Sequence, residues 1–166
     1  MTGATNVEIV VANILAREHM PVPQDIHDGT GRNGAGGQTP MFLATYNLPF
    51  PNTEPEAASN LVMFFAKTGL LSVINASVAL GDAVADYAYA VSVRGAVRAL
   101  QAVLGVTQDG IMGPVTMDAL HQQPDLAGLV RDIAIARLKT IGQGLASGQT
   151  KPEFASGLVD RAVSFL

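Results

Sequence analysis

The chain has no cysteine and no tryptophan, and aromatic residues make up only 5% of it. The absence of cysteine excludes disulfide staples and thiolate chemistry. It leaves the compartment open, because such a chain folds equally well in reducing or oxidising surroundings. The scarcity of aromatic faces bears on ligands, since sugar sites usually stack rings on them. Charge is scarce as well: charged residues are 14% of the chain, with a formal net charge of −4 and no basic cluster. That excludes an ordinary nucleic-acid surface, which needs a basic face or groove, and simple electrostatic adhesion to an anionic cell wall. With 48% apolar residues, disorder is excluded too. The 166 residues suffice for one domain whose core needs no staple.

The first twenty residues, MTGATNVEIVVANILAREHM, lack a basic n-region, and Arg17 and Glu18 break their apolar stretch. They do not read as a secretory signal. Residues 61–81, LVMFFAKTGLLSVINASVALG, are the one run long and apolar enough to raise the question of a membrane span. Lys67, Asn75, two serines and two glycines interrupt it, and Asp82 and Asp86 follow, so a buried helix or helical hairpin is expected.

Hydrophobic spacing predicts a helix over 6–18, with Asn6 as its cap and Ile9, Val10, Asn13, Ile14 and Arg17 at helical intervals. Pro21 and Pro23 then end it. The segment PVPQDIHDGTGRNGAGGQTP is too rich in glycine and proline for a helix. Its Asn33-Gly34 pair is a turn signal, which predicts a loop or small β-hairpin. Residues 46–55 read as irregular. From 56 to about 104, breaks near Gly69, Gly81 and Gly95 predict three helices. Val93, Val97, Leu100 and Leu104 form one stripe of the last, and Gly105 supplies its C-cap. Pro114 suits the first position of the next helix. Further helices are expected over 124–146 and near the C-terminus. The expected fold is mainly α, about seven helices with one glycine-rich excursion near the front and no internal repeat.

The most specific segment is AVRALQAVLGVTQDGIMGPVTMDAL, from Ala96 to Leu120. Ala96, Leu100 and Gln101 form A-x-x-x-L-Q, and Asp109, Gly110, Gly113, Pro114 and Thr116 form D-G-x-x-G-P-x-T. The spacing has a physical reason. Asp109 can bond nearby amides, the glycines admit left-handed angles, and Pro114 starts a helix. A plain helix–turn–helix joint would use the same devices. This pattern resembles the peptidoglycan-binding half of family 108 glycoside hydrolases, phage-type muramidases with a lysozyme-like fold. Arg137 and the closing Gly157-Leu158-Val159-Asp160-Arg161 are similar to that family's late arginine and its G-W-x-x-R ending, with Leu158 in place of tryptophan. Asp86 matches the first residue of its D-x-x-V-N, with Ala90 in place of asparagine.

The resemblance implies a single lysozyme-like domain over 1–166, with a catalytic helix and glycine-rich hairpin in 1–55 and a helical peptidoglycan-binding-like lobe in 56–166. It makes Glu18, at the end of the first helix, the catalytic acid, and Gly36-Gly37-Gln38-Thr39 the family's G-G-x-T. A carboxylic acid shielded between helix and hairpin holds its proton and can protonate a glycosidic oxygen. Thr39 would orient a water, and Asp28 or Asp25 would stabilise developing positive charge. Asp86, Gln101, Asp109 and Arg137 are the implied substrate-binding residues. His19-Met20 stands where the family has Gly-Gly, and Pro40-Met41-Phe42-Leu43 follows Thr39 in place of a polar and aromatic run.

Other constellations carry less. His19, His27, Asp25 and Asp28 lack a diagnostic metal-ligand spacing. GTGRNGAGG is not followed by G-K-[ST] as a phosphate loop requires. His121 reads as a helix-end residue. No metal or organic cofactor is implied. The implied partner is bacterial peptidoglycan, with other virion or particle proteins or self-association for a non-catalytic descendant acting as a structural or wall-binding component. The expected location is a phage virion, or the cytoplasm of the producing cell with delivery to the wall by another route.

Overall fold

The computed structural model describes residues 3–26 and 31–166. Its architecture is mainly α-helical with a small N-terminal β-hairpin, the lysozyme-like arrangement expected from the sequence. The chain divides into two compact units, Met1–Leu71 and Ser72–Leu166.

In the first unit, α1 (Asn6–Glu18) is capped by Thr5 rather than Asn6. The Thr5 hydroxyl accepts from the Glu8 amide at 3.3 Å, and the Glu8 carboxylate accepts from the Thr5 amide at 2.7 Å. This capping box satisfies two amides that the helix start would otherwise leave unpaired. The bonds from Thr5 also hold the Glu8 carboxyl below its ordinary pKa. Val10, Val11, Ile14 and Leu15 form the buried face.

Two short strands follow, β1 (Gln24–Ile26) and β2 (Gly31–Asn33), paired antiparallel with Gln24 opposite Asn33 and Ile26 opposite Gly31. The hairpin is thus present, but Asn33-Gly34 is not its turn. Asn33 ends β2 and is paired with Gln24; residues 27–30 lie outside the described residues. Gly34 serves close approach instead, since a Cβ there would come within 2.5 Å of Pro51 Cδ. A 3-10 turn (Ala35–Gly37) leads to α2 (Pro40–Tyr46) and then α3 (Glu54–Thr68). α3 packs on α1 and on the 3-10 turn. Its Phe64 is fully buried, with the rings of Tyr46 and Phe42 centred 4.8 and 5.2 Å away.

Four helices, not three, occupy the Ala-rich stretch. After α3 come α4 (Leu71–Ala76), α5 (Val78–Ala90) and α6 (Val93–Val103). Gly69 ends α3 in a left-handed conformation, as its position suggested. Gly81 and Gly95, by contrast, lie inside α5 and α6. The breaks fall at Ser77 and Ser92, whose hydroxyls cap the helices by accepting from the amides of Leu80 and Gly95 at 3.3 and 3.2 Å. Gly81 lets α5 approach its neighbour, because a Cβ there would stand 2.5 Å from Ile74 Cα. The apolar run 61–81 is therefore divided among three helices. Among the described residues, no helix is long and apolar enough to cross a membrane.

The second unit is completed by α7 (Pro114–His121), α8 (Leu129–Ala146) and α9 (Pro152–Val163). α8 starts later than the expected 124, because Asp125 closes a turn by accepting from the Gly128 amide at 3.0 Å. α8 packs against α5, α6 and α9.

Candidate functional site

Glu18 is the last residue of α1 and is half-buried. His19 then turns the chain with φ 52°, a left-handed angle that suits glycine better. The carbonyl of Met20 accepts from the Gly36 amide at 2.6 Å, which ties the 3-10 turn to the end of α1. Gly36 has φ 70°, and a Cβ there would come 2.7 Å from Leu15 Cδ2 of α1 and 3.1 Å from Ala57 Cβ of α3. Gly37, with φ 72°, has no room for a Cβ, which would overlap Oε2 of Glu18. The Glu18 carboxylate therefore lies directly against the Gly36-Gly37 turn. These residues, sixteen or more positions apart in the chain, are brought together within the first unit.

The other candidates at the front are placed less decisively. Thr39 is exposed and caps α2, its hydroxyl accepting from the Phe42 amide at 3.1 Å. The Pro-Met-Phe-Leu run after it is the first turn of that helix, with Pro40 at its start. Asp25 is exposed on β1, 3.8 Å from Arg32 across the hairpin, a solvated pair of little energetic weight. Asp28 and His27 lie outside the described residues.

Sequence reasoning missed two residues behind the turn. Gln38, fully buried, donates from Nε2 to the Ala57 carbonyl at 2.9 Å and accepts at Oε1 from Asn60 Nδ2 at 2.7 Å. Asn60 Nδ2 also donates to the Pro49 carbonyl at 2.8 Å. One signal was available. Ala57, Leu61, Phe64 and Phe65 make a helical apolar stripe, and Asn60 is the polar residue within it.

In the second unit, Gln101 is buried on α6 and holds the loop before α7. Its Nε2 lies 2.7 Å from Asp109 Oδ1, 3.0 Å from the Ile111 carbonyl and 3.0 Å from Thr116 Oγ1, while its Oε1 accepts from the Gly110 amide at 2.8 Å. Two amide hydrogens serve three acceptors, so one bond is shared. Asp109 also accepts from the Ile111 amide at 2.9 Å. The bond from Gln101, then that from Ile111, holds its carboxyl below the usual carboxylate range. Ile111 and Val115 stand about two-thirds exposed beside this joint, at 65% and 66%.

Asp86 and Arg137 are buried in contact with each other, and Asp86 also meets Arg161. Arg137 Nη1 donates to Asp86 Oδ2 at 2.6 Å, and Arg161 Nε donates to the same carboxylate at 2.8 Å, with its Nη2 2.7 Å from Oδ1. Burial pushes the Asp86 carboxyl up, but bonding and charge from Arg161, then Arg137, prevail and leave it below its usual value. Burial pulls Arg137 down against the opposing effect of Asp86. Arg137 also lies over the Tyr87 ring, 5.8 Å from its centre, and the Tyr87 hydroxyl donates to Thr140 at 2.7 Å. Asp86, Gln101 and Arg137 are thus engaged in building the second unit, whereas Asp109 sits at its surface.

No protein-family model matches the chain, and no curated protein sequence matches it. Among solved structures it is similar to SagA of Brucella abortus, at 21% identity over 96% of this chain and 94% of that one, with a TM-score of 0.63. The two chains share a fold along nearly their whole lengths.

Proposed function

We propose that this protein is a muramidase that hydrolyses β-1,4 glycosidic bonds of bacterial peptidoglycan, with Glu18 as general acid. The observation that carries the reading is the packing of the Glu18 carboxylate against Gly37, in a chain whose G-G-x-T and D-G-x-x-G-P-x-T motifs resemble those of family 108 glycoside hydrolases. A half-buried carboxyl at a helix end, backed by a turn without side chains, leaves a substrate oxygen room to approach. Thr39 spends one lone pair on the Phe42 amide and keeps its hydrogen and second lone pair for a water. Asp28 is the proposed stabiliser of developing positive charge. Asp109 is the proposed wall contact of the second unit, with Gln101 holding it from behind and Asp86 and Arg137 supporting the scaffold. A second reading, a non-catalytic wall-binding or particle component, draws on large apolar side chains that stand more than half exposed, among them Met41, Ile111 and Val115. Release of reducing sugar from purified peptidoglycan separates the two. Activity in the wild type that falls by about 10²–10⁴-fold in Glu18→Gln supports the muramidase. A folded wild type without activity rejects it in favour of the second reading.

A further inference from the structure

We propose that Gln38, clamped by Asn60, is the positioning residue that sets the Glu18 carboxyl against the glycine turn. The inference deepens the muramidase reading and takes its catalytic meaning from it. Gly36 and Gly37 bring no side chain to the turn and both adopt left-handed angles, so beyond the buried Ala35 and the close approach to Leu15 and Ala57 it is held by hydrogen bonds. Its backbone is tied by the Gly34 amide to the Gln38 carbonyl at 2.9 Å, the Ala35 amide to the Pro51 carbonyl at 3.0 Å, and the Gly36 amide to Met20. Gln38 is the first side chain after the glycines, and it is directed inward and fully buried. Burying an amide is unfavourable unless both ends are bonded, and here both ends are bonded to α3.

The orientation of the pair is fixed. Both acceptors of Asn60 Nδ2, Gln38 Oε1 and the Pro49 carbonyl, are oxygens, so a flip of Asn60 would set oxygen against oxygen. Flipping Gln38 would do the same at the Ala57 carbonyl. α3 therefore offers one donor and one acceptor site that only a side chain of this length and chemistry fills. α3 also packs on α1, which carries Glu18. The circuit from α1 to the turn, through Gln38 to α3 and back to α1, sets the separation of Gly37 and the Glu18 carboxylate.

The test is Gln38→Met, which keeps length and burial and removes both bonds. Leu120→Ala, in the core of the second unit, serves as a destabilised control. The first readout needs no activity: the nuclear Overhauser contact between the Gly37 α-protons and the Glu18 side chain. It should be strong in the wild type and the control and lost or severely weakened in Gln38→Met. With peptidoglycan, Gln38→Met should lose about 10- to 100-fold in kcat with KM changed less than about twofold, as expected for a misplaced acid. The control should keep its kcat. If Gln38→Met does not fold, Asn60→Ala replaces it. That variant leaves the Ala57 bond and should weaken the contact partially. An undiminished contact in the folded variant overturns the inference, and so does an unchanged kcat beside a lost contact. A wild type that shows the contact and its loss on mutation, yet releases no sugar, sinks the muramidase reading and leaves the positional inference standing.

Discussion

Asp86 is the residue whose loss should be felt most in the second unit. Its carboxylate is completely buried and receives Arg137 at 2.6 Å and Arg161 at 2.7 to 2.8 Å. Asp86→Asn preserves shape and removes only the charge, which takes from Arg137, 1% exposed, the carboxylate it bonds and takes the same charge from Arg161. Breaking a buried pair in this way costs about 3–5 kcal/mol, because the remaining ion keeps its desolvation penalty. The amide oxygen can still accept one bond, so about 3 kcal/mol is expected, or roughly 6–12 °C in Tm for a chain of this size. Urea and thermal unfolding followed by far-ultraviolet ellipticity would measure it. Replacing Asp86, Arg137 and Arg161 together by Leu, Met and Met should cost far less, since the buried carboxylate and its two guanidiniums leave together. The pH dependence follows from the lowered Asp86 pKa. A carboxyl depressed on folding contributes stability above its unfolded value of about 3.9, and the contribution is lost as pH falls through the folded value. The gap between wild type and Asp86→Asn should be full at neutral pH and close below about pH 3.9. A variant within about 1 kcal/mol of wild type at pH 7, or a gap that persists into strong acid, would refute the reasoning.

Gly37→Ala and Gly105→Ala isolate a collision from backbone strain, because both glycines have φ 72° but only a Cβ at Gly37 strikes Glu18. Each should lose about 1 kcal/mol for the left-handed angle, and Gly37→Ala alone should lose further stability in urea and, on the muramidase reading, most of the hydrolysis of peptidoglycan. His19→Gly should raise stability by about 0.5–1 kcal/mol, since His19 ends α1 at φ 52°, and a lower urea midpoint would contradict this. Gln101→Leu should cost about 2–4 kcal/mol from the bonds it makes to Asp109, Gly110, Ile111 and Thr116, and faster amide exchange at Gly110 would localise the damage. Because Asp109 is held below its ordinary value by Gln101 and the Ile111 amide, that loop should loosen as pH falls below about 3.9.

Helix α1 was legible to the residue at both ends, because periodicity and the prolines after it mark the same limits. Its cap is Thr5 rather than Asn6, because Thr5 and Glu8 form a capping box that outweighs the intrinsic preference of Asn6. Over 56–104, the three glycines suggest three breaks. Gly69 behaves so, but Gly81 and Gly95 sit within helices, where the missing Cβ admits Ile74 and the Tyr87 hydroxyl. Ser77 and Ser92 held the true signal, a hydroxyl placed to accept the third amide of the coming helix. At the front the structure sets Glu18 against Gly37, where a carboxyl shielded between helix and hairpin was expected from motif order alone. The Gln38–Asn60 clamp was not, because nothing local distinguishes a glutamine that bonds across 22 residues from one that points to solvent.

The segment that made the fold most recognisable is engaged chiefly in construction. Gln101 is 1% exposed, and its amide is spent on the loop from Asp109 to Thr116. Asp86 is spent on Arg137 and Arg161. Spacing in such a joint is rigid, since every partner must be met at bonding distance, so the motif reads clearly and reports architecture. Glu18 stands in the opposite situation. Its neighbours are supplied by a turn of glycines that contributes backbone and space, and neither leaves a strong pattern in sequence. A matched pair of substitutions separates the roles. On the muramidase reading, Gln101→Leu should lower stability and raise KM through Asp109 while the folded protein keeps its kcat, and Glu18→Gln should lower kcat by about 10²–10⁴-fold at unchanged stability. If Gln101→Leu instead abolishes turnover in the fully folded protein, the joint belongs to the chemistry and the division argued here fails.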